Sequence, residues 1–220
     1  MSDRPINFSA PMVRASLAGS KTQTRRVLKL RGHRAFSEFG PSDTKGYDWH
    51  FRDAEKRWHD HRAAGLSNLL PYVHGDRLWV REAHYLTDDG DNETAVYAED
   101  ACEVQKHINQ IAQMQIGGGL SDDWATPHLR LRPSIHMPRW ASRLTLTVTD
   151  VRVQRLHDIN RGDAMAEGCP FANMADGLNP RGWYADIWDT IHGPFAWKAN
   201  PWVVAVSFNV QRGNIDAVKS

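Results

Sequence analysis

Leu17-Ala18-Gly19-Ser20-Lys21-Thr22-Gln23-Thr24-Arg25-Arg26 is the stretch on which the reading of this chain turns. Gly19 is the residue type that ends a helix, and a helix fits upstream of it. Ser9 can cap that helix, Pro11 suits its first turn, and Met12, Val13 and Leu17 give it an apolar side. Downstream, Thr22 to Leu30 reads as a strand. Thr22, Thr24 and Arg26 fall on one of its faces, and Gln23, Arg25 and Val27 on the other. The six residues from Lys21 to Arg26 therefore bring an amine, two hydroxyls and two guanidiniums together where a helix hands over to a strand. A lysine near a threonine is a base–nucleophile pair once the amine has lost its proton. Partial burial and the charges of Arg25 and Arg26 would push that proton off Lys21. The same string also reads as an edge strand with solvated basic side chains, and both readings stay open.

Outward from this stretch, charge is unevenly spread. The chain has 220 residues and a net charge of +1. Even so, Arg4 to Ser37 contains eight Lys or Arg and no acid, and Trp124 to Thr149 contains four arginines and no acid. Acids gather between, from Asp88 to Asp123. Two basic segments that meet would make a face for phosphate; segments that stay apart would be solvated surface. Hydrophobic content of 41% and charged content of 24% are those of a soluble globule. No apolar run reaches membrane-spanning length, and Met1 to Pro5 does not open a secretory signal. Two cysteines, Cys102 and Cys169, argue for a reducing compartment without a disulfide framework. The expectation is a cytoplasmic protein with no membrane partner.

Further elements follow from local patterns. A polar helix is expected over Asp53 to Ala64, stopped by Gly65. His59-Asp60-His61 would lie on it, where residues two apart diverge, so these histidines are expected to be solvated and not to bind metal. His74-Gly75-Asp76 is a turn leading into a strand over Arg77 to Glu82. Residues 98–116 show a helical stripe ended by Gly117-Gly118-Gly119. Leu144 to Val151 is a strand rich in β-branched residues. Asn160 caps a short helix through Ala166, with Asp163 at the capping-box position and Gly168 at the stop. Asn179-Pro180 starts another helix with Trp183, Ile187 and Ile191 on one face, ending at Gly193. Trp202 to Val210 is the last strand. This mixture without a regular βαβ rhythm points to a small mixed barrel with helices at its rim.

Motifs exclude several chemistries. The phosphate-loop pattern, HExxH, the nucleophile elbow and the zinc-deaminase pairing are all missing. No metal or cofactor is expected. What remains is Lys21 with Thr24, which needs a carboxylate from elsewhere to orient the amine or pass on the proton. Trp140, between Arg139 and Arg143, is the tryptophan best placed to stack on a base, or else it packs on the barrel. Glu82 ends a strand beside Arg81, where it would line the cleft or pair with that arginine's neighbours.

A helix followed by Leu-Ala-Gly-x-Lys-Thr-x-Thr-x-Arg resembles the ASCH domains of the PUA-like superfamily. Gly75 to Val80, Leu144 to Asp150, Leu156 to Gly168 and Trp202 to Phe208 are similar to its later segments, in the same order. Arg132-Pro133-Ser134-Ile135-His136-Met137-Pro138-Arg139-Trp140 is similar to a phrase of longer phage and prophage members. The resemblance implies an α+β fold, a compact barrel with flanking short helices, in a single domain over 1–220. Its core would be about 6–30, 74–82, 143–168 and 180–210, with insertions about 31–73 and 83–131. A small bacterial member is an amidohydrolase that removes the acetyl group from N4-acetylcytidine. The resemblance puts its catalytic residues on Lys21, Thr24 and Glu167. Arg25, Arg26, Glu82, Arg139, Trp140 and Arg143 would bind substrate, a modified nucleoside or RNA. The alternatives are a non-catalytic RNA-binding module, with Lys21, Arg25, Arg26, Arg139 and Arg143 on phosphate, and a ribonuclease.

Overall fold

A computed structural model describes residues 2–33, 35–88, 93–98, 100, 131–170 and 179–217. The expected helix over 98–116, its glycine run and Cys102 lie outside the described residues; Cys169 is buried. In chain order the elements are β1 (Asp3–Asn7), α1 (Ala10–Leu17), β2 (Gln23–Val27), β3 (Phe36–Pro41), β4 (Trp49–Asp53) and β5 (Trp58–His61). There follow α2 (Ala63–Leu69), β6 (Arg77–Arg81), β7 (His84–Asp88), β8 (Glu93–Tyr97), β9 (Leu144–Arg155), α3 (Arg161–Ala166), α4 (Pro180–His192) and β10 (Trp202–Arg212). The described chain is thus a mixed α/β structure of ten strands and four helices.

Packing separates two compact units. One comprises Met1–Ser2, Ser20–Asp76 and Thr147–Asn209; the other comprises Asp3–Gly19, Arg77–Leu146 and Val210–Ser220. Strands β9 and β10 therefore each contribute to both.

In the first unit β10 lies between β9 and β2. β10 and β2 are antiparallel, with Val204 opposite Arg26 and Val206 opposite Thr24. Val203, Val204, Ala205 and Val206 are all buried, so this part of β10 is covered on both faces. Helices α3 and α4 pack together over a cluster of Leu156, Ile159, Ala164, Tyr184, Trp188 and Val203. Both helices are capped as their sequences require. Asn160 Oδ1 accepts from Asp163 N at 2.8 Å, and Asn179 Oδ1 accepts from Arg181 N at 3.0 Å. The buried stripe of α4 is Pro180, Tyr184 and Trp188. This corrects the expected stripe of Trp183, Ile187 and Ile191 by one residue. Trp183 only edges the cluster, and Ile191 is 49% exposed. An aromatic ring on each side of the boundary makes the two faces equally apolar, so composition alone points to either.

The segment 31–73 holds its own antiparallel sheet, β3-β4-β5. This corrects the helix expected over 53–64. The chain instead turns after Asp53, where Lys56 takes a left-handed φ of 64° and Arg57 N donates to Asp53 Oδ1 at 2.9 Å. On β5, His59 and His61 share one face instead of diverging. Both rings stack on buried Phe51, at 4.8 and 5.5 Å between centroids. The helix starts later, at Ala63, with Gly65 inside it.

In the second unit β1 runs parallel to β6, from Asp3 opposite Arg77 to Asn7 opposite Arg81, and β9 lies on the other side of β6. β7 and β8 form a separate hairpin. α1 follows the expected signals: Ser9 is the cap residue, Pro lies in the first turn and Gly19 beyond the end has φ 76°.

Candidate functional site

Lys21 sits just ahead of β2 and forms an isolated antiparallel bridge with Glu167, the residue that closes α3. Thr22 N donates to Ala166 O at 2.8 Å beside it. Gly168, at φ 95°, lets the chain leave α3 in a left-handed turn that most side chains resist. The strand and the end of the helix are thereby held side by side.

The side chains extend this backbone contact. Lys21 Nζ donates to Glu167 Oε2 at 2.8 Å, to Glu167 O at 3.0 Å and to Gln23 O at 2.8 Å. Arg25 reaches the same carboxylate, with Nη1 3.1 Å from Oε1. Its Nη2 lies 2.9 Å from Asp163 Oδ2, and its Nη1 donates to Gln23 Oε1 at 2.6 Å. Gln23 Nε2 donates in turn to Ser207 Oγ at 3.1 Å. The Arg25 guanidinium lies 5.9 Å from the centre of the Tyr184 ring. Lys21 and Arg25 are fully buried in their side chains and Glu167 is 2% exposed. Three formal charges are thus removed from water within one hydrogen-bonded group, with the Asp163 carboxylate at its edge.

Burial is the largest influence on Lys21 and lowers its pKa from the ordinary 10.5. The Glu167 carboxylate opposes it, while Arg26 and Arg25 add to the lowering. Burial also raises the Tyr184 phenol well above its usual value.

Of the nine residues singled out from the sequence, Lys21, Glu167 and Arg25 come together in this network. Thr24 lies on β2 in the same unit and is 2% exposed. Strand alternation turns Thr24 and Arg26 to one face and Gln23 and Arg25 to the other. Arg26 is partly exposed and, with Val27, Lys29, Pro71, Tyr72 and His192, lines a cavity of about 470 Å³.

Glu82, Arg139, Trp140 and Arg143 belong to the second unit. Arg143 grips buried Glu82 through two bonds of 2.8 Å, reaches Asp100 with its other terminal nitrogen and lies 3.9 Å from the Tyr97 ring centre. Arg139 pairs with Asp216 at 2.7 Å and Asp3 at 2.6 Å. Trp140 is 46% exposed.

Asp163, Gln23, Ser207 and Tyr184 lie in or against the Lys21 network without standing out in the sequence. Asp163 was accounted for by its capping-box position, yet it also holds Arg25 and Arg152, the latter at 3.1 Å. Gln23 and Tyr184 carried no signal beyond strand alternation and helical spacing. Among the described residues, no group of three or more His, Cys, Asp or Glu is arranged to hold a metal. No helix among them is long and apolar enough to cross a membrane. No family model, curated protein or solved structure matches the chain.

Proposed function

We propose that the chain is an amidohydrolase acting on the acylated exocyclic amine of a modified pyrimidine nucleoside such as N4-acetylcytidine, built on an ASCH-like, PUA-like barrel. The observation that carries the reading is the 2.8 Å pair of fully buried Lys21 with Glu167, three residues before Thr24. A buried ion pair is weak support for stability, since desolvation offsets much of its attraction. Its retention in the same unit as the Thr24 hydroxyl, with an amine whose pKa is lowered, supports a proton-transfer site.

In this mechanism neutral Lys21 takes the proton from Thr24 Oγ1, and the oxygen attacks the amide carbonyl. The C–N bond then breaks, the Lys21 ammonium returns its proton to the departing amine, and the acyl group remains on Thr24 as an ester. Water hydrolyses that ester to the free acid, its proton passing through Lys21. Glu167 orients the amine and stabilises its charged form. The Arg26 cavity has the volume of a small-ligand site.

The RNA-binding alternative draws less support. Arg25, Arg139 and Arg143 are already held by carboxylates, so releasing them to phosphate would break existing ion pairs.

The test is incubation with N4-acetylcytidine, following cytidine by chromatography. Thr24→Ala is expected to lower turnover by about 10²-fold or more, and Thr24→Ser to keep part of it, with circular dichroism unchanged. Turnover that survives Thr24→Ala would remove Thr24 as the nucleophile.

A further inference from the structure

Glu167 serves two cations at once. Lys21 Nζ holds its Oε2 at 2.8 Å, and Arg25 Nη1 holds its Oε1 at 3.1 Å. Arg25 in turn stands between two carboxylates, since its Nη2 lies 2.9 Å from Asp163 Oδ2. Asp163 is also served twice, with Arg152 Nη2 3.1 Å from Oδ1. Cations and carboxylates therefore alternate from Lys21 through Glu167, Arg25 and Asp163 to Arg152, whose side chain is 43% exposed. Arg25 is not locked to either of its carboxylates. Its Nε and Nη2 are buried without an aligned hydrogen bond among the described residues, so neither carboxylate is gripped by a two-pronged fork. Buried donors left in that state are costly, and their retention calls for a reason.

The alternation supplies one. With Lys21 charged, Lys21 balances Glu167 and Arg25 balances Asp163. With Lys21 neutral, each carboxylate still has a cation, because Arg25 can balance Glu167 and Arg152 can balance Asp163. A guanidinium keeps its proton where an amine gives it up. Without that change of partners, proton loss from Lys21 would leave a buried carboxylate uncompensated. Of the charged groups facing Lys21, Glu167 comes from the end of α3, and Arg25 and Arg26 come from β2. Tyr184 on α4 lies against Arg25, but burial keeps its phenol neutral, and β10 contributes the uncharged Ser207 hydroxyl through Gln23. We propose that Arg25 is a positioning residue for the Lys21 base: it takes over the Glu167 carboxylate when the amine gives up its proton, and Asp163 and Arg152 form the relay that frees it to do so. In this role Arg25 acts through Glu167 and Lys21 and not on substrate. One N–H bond of Lys21 breaks, and its proton passes to water. The catalytic meaning rests on the amidohydrolase reading; the change of partners rests on the ion-pair geometry alone.

The experiment is an NMR titration of the Lys21 amine in the full chain without substrate, its signal assigned by its loss in Lys21→Met. The titration is repeated in Arg25→Gln, Arg25→Lys and Arg152→Gln. In Arg25→Gln, Lys21 should keep its proton to a pH higher by about one unit or more. Arg25→Lys, which keeps the charge, should restore most of the parent midpoint. Arg152→Gln should move the midpoint in the same direction as Arg25→Gln, by less. A side chain that only filled space would move none of these midpoints. A midpoint that stays in place or falls in either Arg25→Gln or Arg152→Gln would overturn the proposal. Arg152 is half-exposed, so Arg152→Gln decides alone if Arg25→Gln does not fold. Because the amine is read without turnover, the two readings fail separately. A moved midpoint without hydrolysis of N4-acetylcytidine removes the amidohydrolase and keeps the change of partners. Hydrolysis with the midpoint unmoved does the reverse.

Discussion

The Lys21 ammonium depends on acceptors that come largely from one residue. Glu167 offers it both its backbone carbonyl and its carboxylate, and Gln23 O completes the set. Glu167→Gln keeps the volume but removes the negative charge that faces two buried cations. The expected cost is about 3–5 kcal/mol, measured by urea denaturation. The dependence on pH has a definite sign. The folded pKa of Lys21 lies below 10.5 because of burial, so between that value and 10.5 the unfolded chain holds more protons. The contribution of Lys21 to stability therefore rises with pH across that window, and Lys21→Met should flatten the rise. Lys21 and Arg25 stand out in a short basic motif, whereas Glu167 is expected beside Lys21 only through the family resemblance and Arg25 is expected on substrate. That Gln23 and Asp163 join them was not legible, because the shared carboxylate is brought to β2 from more than 140 residues away along the chain.

At the level of elements, legibility followed the strength of local signals. α1, α3 and α4 were found from caps, proline and stop glycines, and β6, β9 and β10 from alternation and β-branched residues. β1 was missed because Asp3–Asn7 has little apolar alternation; it gains its place by pairing with β6. β5 falls inside the helix expected over 53–64 because its histidines and acid look like solvated surface until Phe51 is known to lie beneath them. β1 also carries a charge anchor. Arg77 donates to both Asp3 carboxylate oxygens at 3.0 Å, and Arg139 reaches Oδ2. Hydrogen bonds from Arg77 and Arg139 lower the Asp3 pKa from 3.8 to about 2. This stabilisation is complete above 3.8 and is lost as pH falls from 3.8 through about 2. Asp3→Asn should therefore lower stability at pH 6 and weaken the acid dependence below pH 4, as read by denaturation at each pH.

For the whole molecule, the sequence suggested two basic segments, whereas the described arginines are in good part neutralised where they stand. Arg25, Arg57, Arg77, Arg139, Arg143 and Arg152 all have carboxylate partners. These pairings could not be read from charge runs, because the carboxylates come from distant positions or lie beside the arginine without announcing a bond. Those six arginines are then less available to displace counterions from a polymer. Binding of a generic RNA, measured by fluorescence anisotropy, should be weak and should change little between 50 and 200 mM salt, well short of the loss of about 10³-fold or more expected for six to ten phosphate contacts. A steep salt dependence would mean that the ion pairs open on contact with nucleic acid.

The bridge between Lys21 and Glu167 joins positions 146 residues apart in sequence. Closing so large a loop is entropically slow, so the clasp is expected to form after the main barrier to folding has been crossed. Losing it should then leave the refolding rate nearly unchanged and hasten unfolding, so that stopped-flow chevrons of Glu167→Gln differ from the parent chiefly in the high-denaturant limb. On that view the buried charges act as a latch on the lifetime of the native state, and the chain can reach its fold before they meet.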